Sequence, residues 1–243
     1  MRGGACQTLL LYSGRWLLLA CTLSACTTET GTRIALTHAN LSGIRICGVL
    51  VEQRDDFTVR LDSDRMTGVG AVVGSIVGAG IETSVRGVRD DHLTRDCQPV
   101  MGGFAVGKLL QDKLREDLEA TKQFAAVLIV DSNERATLQK MNCDALLEIT
   151  ITQWGLVRCA STRADDRLQV AINVDQRLTR LADNQLIWRR NALHANGDCY
   201  SAEQYKSKDG LLVDELTRAI EDVASYAANE IRYELKAPEG GSR

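Results

Sequence analysis

The stretch ALLEITITQWGLVRC, residues 145–159, decides the fold of this chain. Its side chains alternate with the period of a strand, with Leu147, Ile149, Ile151 and Val157 on one face and Glu148, Thr150 and Thr152 on the other. A strand that is apolar on one side belongs to a sheet that has one face buried and one face polar. The stretch therefore predicts a long strand with its apolar face in the core.

Two further strands complete an antiparallel meander with this one. After a turn predicted at residues 165–166, apolar and polar side chains alternate again over residues 168–179. The Asp-Asn pair at 183–184 favours a two-residue turn, and the sequence LIW at 186–188 begins the third strand. The three strands predict the C-terminal half of a sheet.

The other strands, and the helices that pack on the sheet, are predicted from the periodicity of their apolar residues. Residues 44–51 form a first strand, and the wholly apolar residues 124–130 form a second, which we expect to be central and parallel. Apolar residues at helical spacing predict helices over 104–121 and 211–235, and a capping box at 131–134 opens a short third helix. The fold class is therefore α/β (α+β), with a mixed sheet of about five strands.

The domain limits follow from the polar segments. A single α/β domain spans 44–235, and 236–243 form a loose tail. Within the domain, residues 55–64 are predicted to be a loop or an edge segment, and residues 86–95 a charged connector. The final helix carries a stripe of apolar residues in which position 226 or 227 completes the pattern.

The N-terminus carries an export leader. Arg2 and Arg15 are its only charges, and ten apolar or small residues separate Arg15 from Cys26. This layout is typical of a secretory signal over residues 1–25, and it is too short for a helix that spans a bilayer. Residues 26–43 are polar and Thr-rich and are predicted to be a tether.

The leader ends in a candidate lipidation motif. The sequence LSAC at residues 23–26 resembles the lipobox of bacterial lipoproteins, which implies that Cys26 is acylated and becomes the first residue of the mature chain. The alternatives are a simple cleaved signal or a second motif, LLAC, ending at Cys21. Thr27 differs from the aspartate that retains enteric lipoproteins in the inner membrane, so the resemblance implies an outer-membrane location facing the periplasm.

A Gly-rich segment at residues 67–82 has no counterpart in the rest of the chain. Gly70, Gly74 and Gly78 recur every four residues and would share one face of a helix, as in a glycine zipper. Each glycine costs a helix about 1 kcal/mol relative to alanine, so close packing or a lipid surface must compensate. The segment is either a close-packed helix or Gly-rich hairpin of the domain, or a contact with membrane or with another copy of the chain.

The cysteines predict one disulfide. Cys159 ends the first meander strand and Cys199 follows the third, and these strands run in the same direction, so both residues reach the same end of the sheet. We expect them to form a disulfide, with two unpaired thiols as the alternative. Cys47, Cys97 and Cys143 cannot be paired from the sequence.

The element order resembles small α/β domains of envelope lipoproteins. These are auxiliary lipoproteins of envelope ABC transporters, activator lipoproteins of cell-wall synthases and, similarly, the N-terminal domain of the Tol-system propeller protein. The resemblance is carried by residues 143–149 with 153–156, and by 177–183 and 186–190. It implies a non-enzymatic accessory role, whereas the Gly-rich segment and the cysteine set depart from the pattern.

The remaining side chains give no catalytic or metal-binding motif. His38, His92 and His194 lack ligands at metal-site spacing and are predicted to be exposed, and the sequence around Ser75 is not a nucleophile elbow. With a net charge of −3 there is no basic footprint for nucleic acid. Arg189 and Arg190 are either a docking patch or a solvated strand end.

The sequence thus predicts a lipid-anchored accessory lipoprotein that is not an enzyme and needs no cofactor or metal. Its expected partners are the membrane, through the lipid, and a protein of an envelope complex for transport or cell-wall synthesis. A homo-oligomer stays open. The alternative functions are membrane insertion or pore assembly through Gly70, Gly74 and Gly78, and a hydrolase without a recognisable motif.

Overall fold

The structure, a computed structural model, describes residues 33–61, 80–159 and 167–234. The strands in these residues are β1 (Ile46–Gln53), β2 (Phe57–Arg60), β3 (Ala126–Ile129), β4 (Ala145–Arg158), β5 (Arg167–Arg180), β6 (Gln185–Ala195) and β7 (Tyr200–Ser201). The helices are α1 (His38–Leu41), α2 (Gly80–Cys97), α3 (Val106–Thr121), α4 (Arg135–Lys140), α5 (Ala202–Ser207) and α6 (Leu211–Glu234), with a 3₁₀ helix at Gln98–Met101.

These strands form one mixed sheet in the order β3-β1-β4-β5-β6, with β2 also on β4 and β7 also on β5. β1 is parallel to β3 and β4, and the β4-β5-β6 meander is antiparallel. The predicted α/β class and meander are confirmed, with seven strands instead of about five. The prediction that 124–130 is central is wrong, because β3 lies at the edge of the sheet. Its strand is still apolar throughout because Val127 and Leu128 pack into apolar clusters on opposite faces of the sheet.

A bulge in β4 changes which side chains face the core. Thr152 is the extra residue, because Ile151 and Gln153 pair with consecutive residues of β5. Beyond the bulge, Leu156 joins the main core and Val157 lies on the opposite face. Placing Val157 on the face of Ile151 was therefore wrong, since simple alternation assumes an unbroken ladder.

β2 pairs with the same edge of β4 as β1 does, farther along the strand. Trp154 fixes this arrangement, because its Nε1 donates to the Asp55 carbonyl at 2.8 Å and its ring packs edge-to-face on Phe57. Both β1 and β2 are parallel to β4. Part of the predicted loop or edge segment at 55–64 is thus a strand.

The predicted connector at 86–95 is wrong, because these residues lie within α2. The end of this helix is held against β2: Thr94 Oγ1 accepts from the Val59 amide at 2.8 Å, and Asp90 Oδ1 accepts from the Leu61 amide at 3.3 Å. Cys97 is fully buried. Leu93 also packs against the main core. The part of α2 whose side chains the structure describes is thus held by polar and apolar contacts together, and no regular apolar stripe marks this part in the sequence.

Helices α3 and α6 cover the core face of the sheet, as their apolar stripes predict. Their fully buried residues include Leu110, Leu114 and Leu118 of α3 and Leu212, Leu216, Ile220 and Val223 of α6. At the ambiguous position of α6, Ala227 is buried and Tyr226 is exposed. A search of the described residues for a helix with the length and hydropathy of a membrane span finds none.

The domain begins earlier than predicted. Ile34 forms a bridge with Arg189 of β6, with two backbone hydrogen bonds of 3.1 Å, and Leu36 is buried in the main core. Residues from Ile34 onward therefore belong to the domain, although the Thr-rich composition of 26–43 predicts a tether.

The capping box predicted at 131–134 is absent from the described start of α4. Glu134 is the N-cap and makes no side-chain cap, while Ser132 Oγ accepts from the Glu134 amide. A complete capping box occurs instead at α5, between Ser201 and Gln204. The serine and glutamine at α5 have the spacing of a capping box, but they lie in a segment for which the sequence analysis predicts no helix.

Candidate functional site

A groove of about 380 Å³ lies on the face of the sheet opposite α3 and α6. Strands β4, β5 and β6 form its floor, the start of α4 forms one wall, and the β5–β6 turn closes one end. The residues that line it are Asn133, Arg135, Leu146, Glu148, Arg177, Thr179, Leu181, Asn184 and Leu186. The groove thus combines leucine side chains with polar groups, among them two guanidinium groups and one carboxylate.

The floor holds two opposite charges apart. Glu148 and Arg177 are direct cross-strand partners in the β4–β5 ladder, a position in which opposite charges normally attract. Arg177 instead turns to Asp175, to which its Nε and Nη2 donate at 2.9 and 2.8 Å. Glu148 accepts from Asn133 Nδ2 at 3.3 Å. Among these described residues no ion pair joins Glu148 to Arg177, and both side chains line the groove.

Asp175 is the anchor of this arrangement. Its second oxygen lies 3.5 Å from Arg189 Nε of β6, so one half-buried carboxylate orients arginines from two strands. Asp175 therefore holds the Nε and Nη2 atoms of the Arg177 guanidinium, and this guanidinium lines the groove.

The end of the groove is braced by the β5–β6 turn. Arg135 Nη2 donates to the Leu181 carbonyl at 3.1 Å, which ties α4 to the turn. Arg180 Nη2 lies 2.6 Å from Asp183 Oδ2, and this hydrogen bond lowers the pKa of Asp183 to about 2. Asn184 adopts a left-handed conformation, with φ of 58°. The predicted turn is thus confirmed, as part of a four-residue turn at 181–184.

The groove presents both polar and apolar side chains. Glu148 accepts hydrogen bonds, Arg177 donates them, and Leu146 and Leu186 offer apolar contact. Within the described residues, no three His, Cys, Asp or Glu side chains are placed to hold a metal ion. The groove therefore offers hydrogen-bond donors, acceptors and apolar contact side by side.

The predicted disulfide is present. Cys159 and Cys199 are bonded across a sequence separation of 40 residues, with their Cα atoms 6.2 Å apart. Cys47, Cys97 and Cys143 are free and buried. Burial raises the pKa of the Cys47 thiol to about 12, which makes it a packing residue and a poor nucleophile.

The other predicted site residues lie outside the described residues. They are the lipidation candidate Cys26 with its leader, and Gly70, Gly74 and Gly78 of the Gly-rich segment. Their assignments stay predictions.

The two arginines of β6 do not form one patch. Arg189 pairs with Asp175 on the groove face, while Arg190 lies on the core face and pairs with Glu230 and the Tyr226 hydroxyl of α6. His194, which packs on Tyr226 edge-to-face, is half-buried instead of exposed, and burial lowers its pKa.

The sequence analysis predicts neither the groove nor the contacts of Arg190 and His194 with α6. Glu148, Arg177 and Asn133 come from three separate segments, and only the register of β4 with β5 brings the first two together. The sequence signal for the groove is the set of charged residues on the polar face of the meander. A strand pattern alone predicts that such residues are exposed to solvent.

No protein-family model matches the chain, and no curated protein matches it. Solved structures do resemble it. A Xanthomonas campestris protein of family DUF330 has 12% identity and a TM-score of 0.44, with 79% of this chain and 85% of that chain covered. A PelC dodecamer from Paraburkholderia phytofirmans has 10% identity and a TM-score of 0.40, with coverage of 78% and 89%. A minor lipoprotein from Acinetobacter baumannii has 12% identity and a TM-score of 0.35, with coverage of 52% and 84%. The likeness concerns the general arrangement of strands and helices.

Proposed function

We propose that this chain is an accessory lipoprotein of the bacterial envelope, anchored by a lipid on Cys26, that binds an envelope protein through the groove. It resides at the outer membrane and faces the periplasm. The observation that carries the binding role is the separation of Glu148 from Arg177 at the open floor of the groove.

The compartment is supported by the chain's own cysteines. Disulfides persist in oxidising compartments such as the periplasm and are rare in the cytosol. The bond between Cys159 and Cys199 agrees with the export leader at residues 1–25. The lipobox-like residues 23–26 add the anchor, since two or more acyl chains hold a protein at a membrane where one is marginal.

Lipidation is tested by labelling cells that express the chain with radioactive palmitate. We expect the wild-type chain to be labelled and Cys26→Ser to lose the label completely. Cys21→Ser is the matched control, because it removes the second candidate cysteine, and it should label like the wild type. Loss of the label in Cys21→Ser alone would move the anchor to the second motif, and an unlabelled wild type would indicate a simple cleaved signal.

Partner binding is tested by a photoreactive residue at Thr179 on the groove floor. In cells of the source bacterium we expect one defined cross-linked envelope protein from this position, and none from Glu119, an exposed position on α3. Arg177→Glu should reduce the cross-link at least tenfold, because it places a carboxylate beside Asp175 and opposite Glu148.

The matched control for that charge reversal is Arg115→Glu, at an exposed position of α3 away from the groove. It changes the net charge equally and should leave the cross-link intact. Equal cross-linking from Thr179 and Glu119, or indifference to Arg177→Glu, would rule out the groove as the binding site.

A further inference from the structure

The place where the chain enters the domain limits how the domain can sit on a membrane. Ile34 is fixed to Arg189 on the outer side of β6 by two backbone hydrogen bonds of 3.1 Å. Cys26 precedes Ile34 by eight residues. A lipid on Cys26 is therefore joined to the edge of β6 by a very short piece of chain.

The reach of this piece decides the orientation. Eight residues span at most about 29 Å when fully extended, at roughly 3.6 Å per residue. A compact unit of the size of Gly31–Arg243 has a radius of gyration of roughly 17 Å, which corresponds to a sphere about 43 Å across. The piece is shorter than the domain is wide, so the β6 edge cannot lie on the side that faces away from the lipid.

Exposed apolar residues flank β6 on both faces: His194 packs on Tyr226 of α6, and the adjacent Leu193 therefore projects from the opposite face of the strand. Leu193 of β6 and Tyr226 of α6 are 46% and 39% exposed, and with Met141 they are the large exposed hydrophobic residues of the described chain. Tyr226 packs against His194 of β6, and the Arg190 guanidinium lies 5.4 Å from its ring centre. Tyrosine is characteristic of the headgroup region, where its apolar ring and its polar tip are both accommodated.

We infer that the β6 edge, defined by Ile34, Arg189, Leu193 and Tyr226, is the side of the domain that lies against the lipid surface. The inference rests on the proposed lipid at Cys26. The short connection holds the edge near the membrane, and Leu193 and Tyr226 contact the headgroups. Met141 follows α4, whose Leu138 packs with residues of β1 and β3, and these strands lie at the opposite end of the strand order from β6.

The test uses the full lipidated chain, purified from membranes and reconstituted in vesicles of phosphatidylethanolamine and phosphatidylglycerol. A fluorescent label is attached to Leu193→Cys and, as the matched control, to Met141→Cys, which is also an exposed apolar position. The unmodified chain gives the background, because Cys47, Cys97 and Cys143 are buried. A lipid with a nitroxide on its headgroup is the quencher, and we expect at least twofold stronger quenching at 193 than at 141.

Two results separate the inference from the function on which it rests. If the protein floats with the vesicles but quenching at 141 equals or exceeds that at 193, the orientation is wrong and the lipid anchor stands. If the wild-type chain does not float, the anchor itself is wrong and the orientation falls with it. Cys26→Ser should neither float nor be quenched at either position.

Discussion

Gly155→Ala is expected to lower the free energy of unfolding by about 4 kcal/mol, as measured by urea denaturation. Gly155 has φ of 143°, a conformation that side chains make costly, by roughly 1–3 kcal/mol. An added Cβ would also lie 2.8 Å from the carbonyl carbon and 2.9 Å from the nitrogen of Thr58, and nearer still to the Thr58 oxygen. Overpacking of this kind costs roughly 1–3 kcal/mol more.

Neither partner can move away easily. Thr58 belongs to β2, which is hydrogen-bonded to β4 and held by Thr94 of α2 at the neighbouring Val59 amide. The backbone fixes the position of the added Cβ, and the atoms that it meets are backbone atoms of Thr58, so a change of rotamer does not relieve the clash. Relief requires β2 to separate from β4.

Gly107→Ala is the matched control for this prediction. An added Cβ there would have its nearest neighbour, on Gln53, at 3.9 Å, which is ordinary contact. Because alanine is favoured over glycine in a helix by up to about 1 kcal/mol, this variant of α3 should be as stable as the wild type or slightly more stable. A cost below about 1 kcal/mol for Gly155→Ala would show that β2 does not pair with β4 in this register.

The elements that were predicted correctly are those with a sustained period. The α3 and α6 stripes and the alternation of residues 168–178 need no knowledge of the partner strand, because a single buried face sets the pattern. The Cys159–Cys199 bond followed from the direction of strands one and three of a meander.

The elements that were missed depend on a partner distant in sequence. Thr152 interrupts the alternation of β4 only because β5 pairs around it, and α2 is held by contacts such as that of Thr94 with β2. The groove has the same origin. On its own strand Glu148 has the pattern of a solvent-exposed position, and its contact with Asn133 and its pairing with Arg177 appear only in the folded structure.

Loss of the Cys159–Cys199 bond is expected to have the second of the two large effects. The double variant Cys159→Ser/Cys199→Ser should lower the free energy of unfolding by about 4 kcal/mol, because the bond closes 40 residues and so restricts the unfolded chain. For a domain of this size the melting temperature should fall by roughly 8–16 °C. Thermal unfolding followed by circular dichroism measures the shift.

The variant should still fold, because the segment before Cys199 has a second anchor. Asn196 Nδ2 donates to the backbone oxygen of Glu215 at 3.0 Å and to its buried side chain at 2.9 Å, which ties the segment to α6. The bond therefore adds to the stability of an arrangement that other contacts already specify. The unfolding transition is expected to remain cooperative and to occur at a lower temperature.

Reductant supplies the internal control and links this prediction to the compartment. Dithiothreitol should lower the melting temperature of the wild type to that of the double variant and leave the double variant unchanged, because Cys47, Cys97 and Cys143 are already free thiols. A chain made in the cytosol without residues 1–25 should start at the lower value and rise on oxidation, since the cytosol keeps thiols reduced. If reductant leaves the wild type unaffected while the double variant is equally stable, the bond makes no contribution and the argument for export from the cysteines fails.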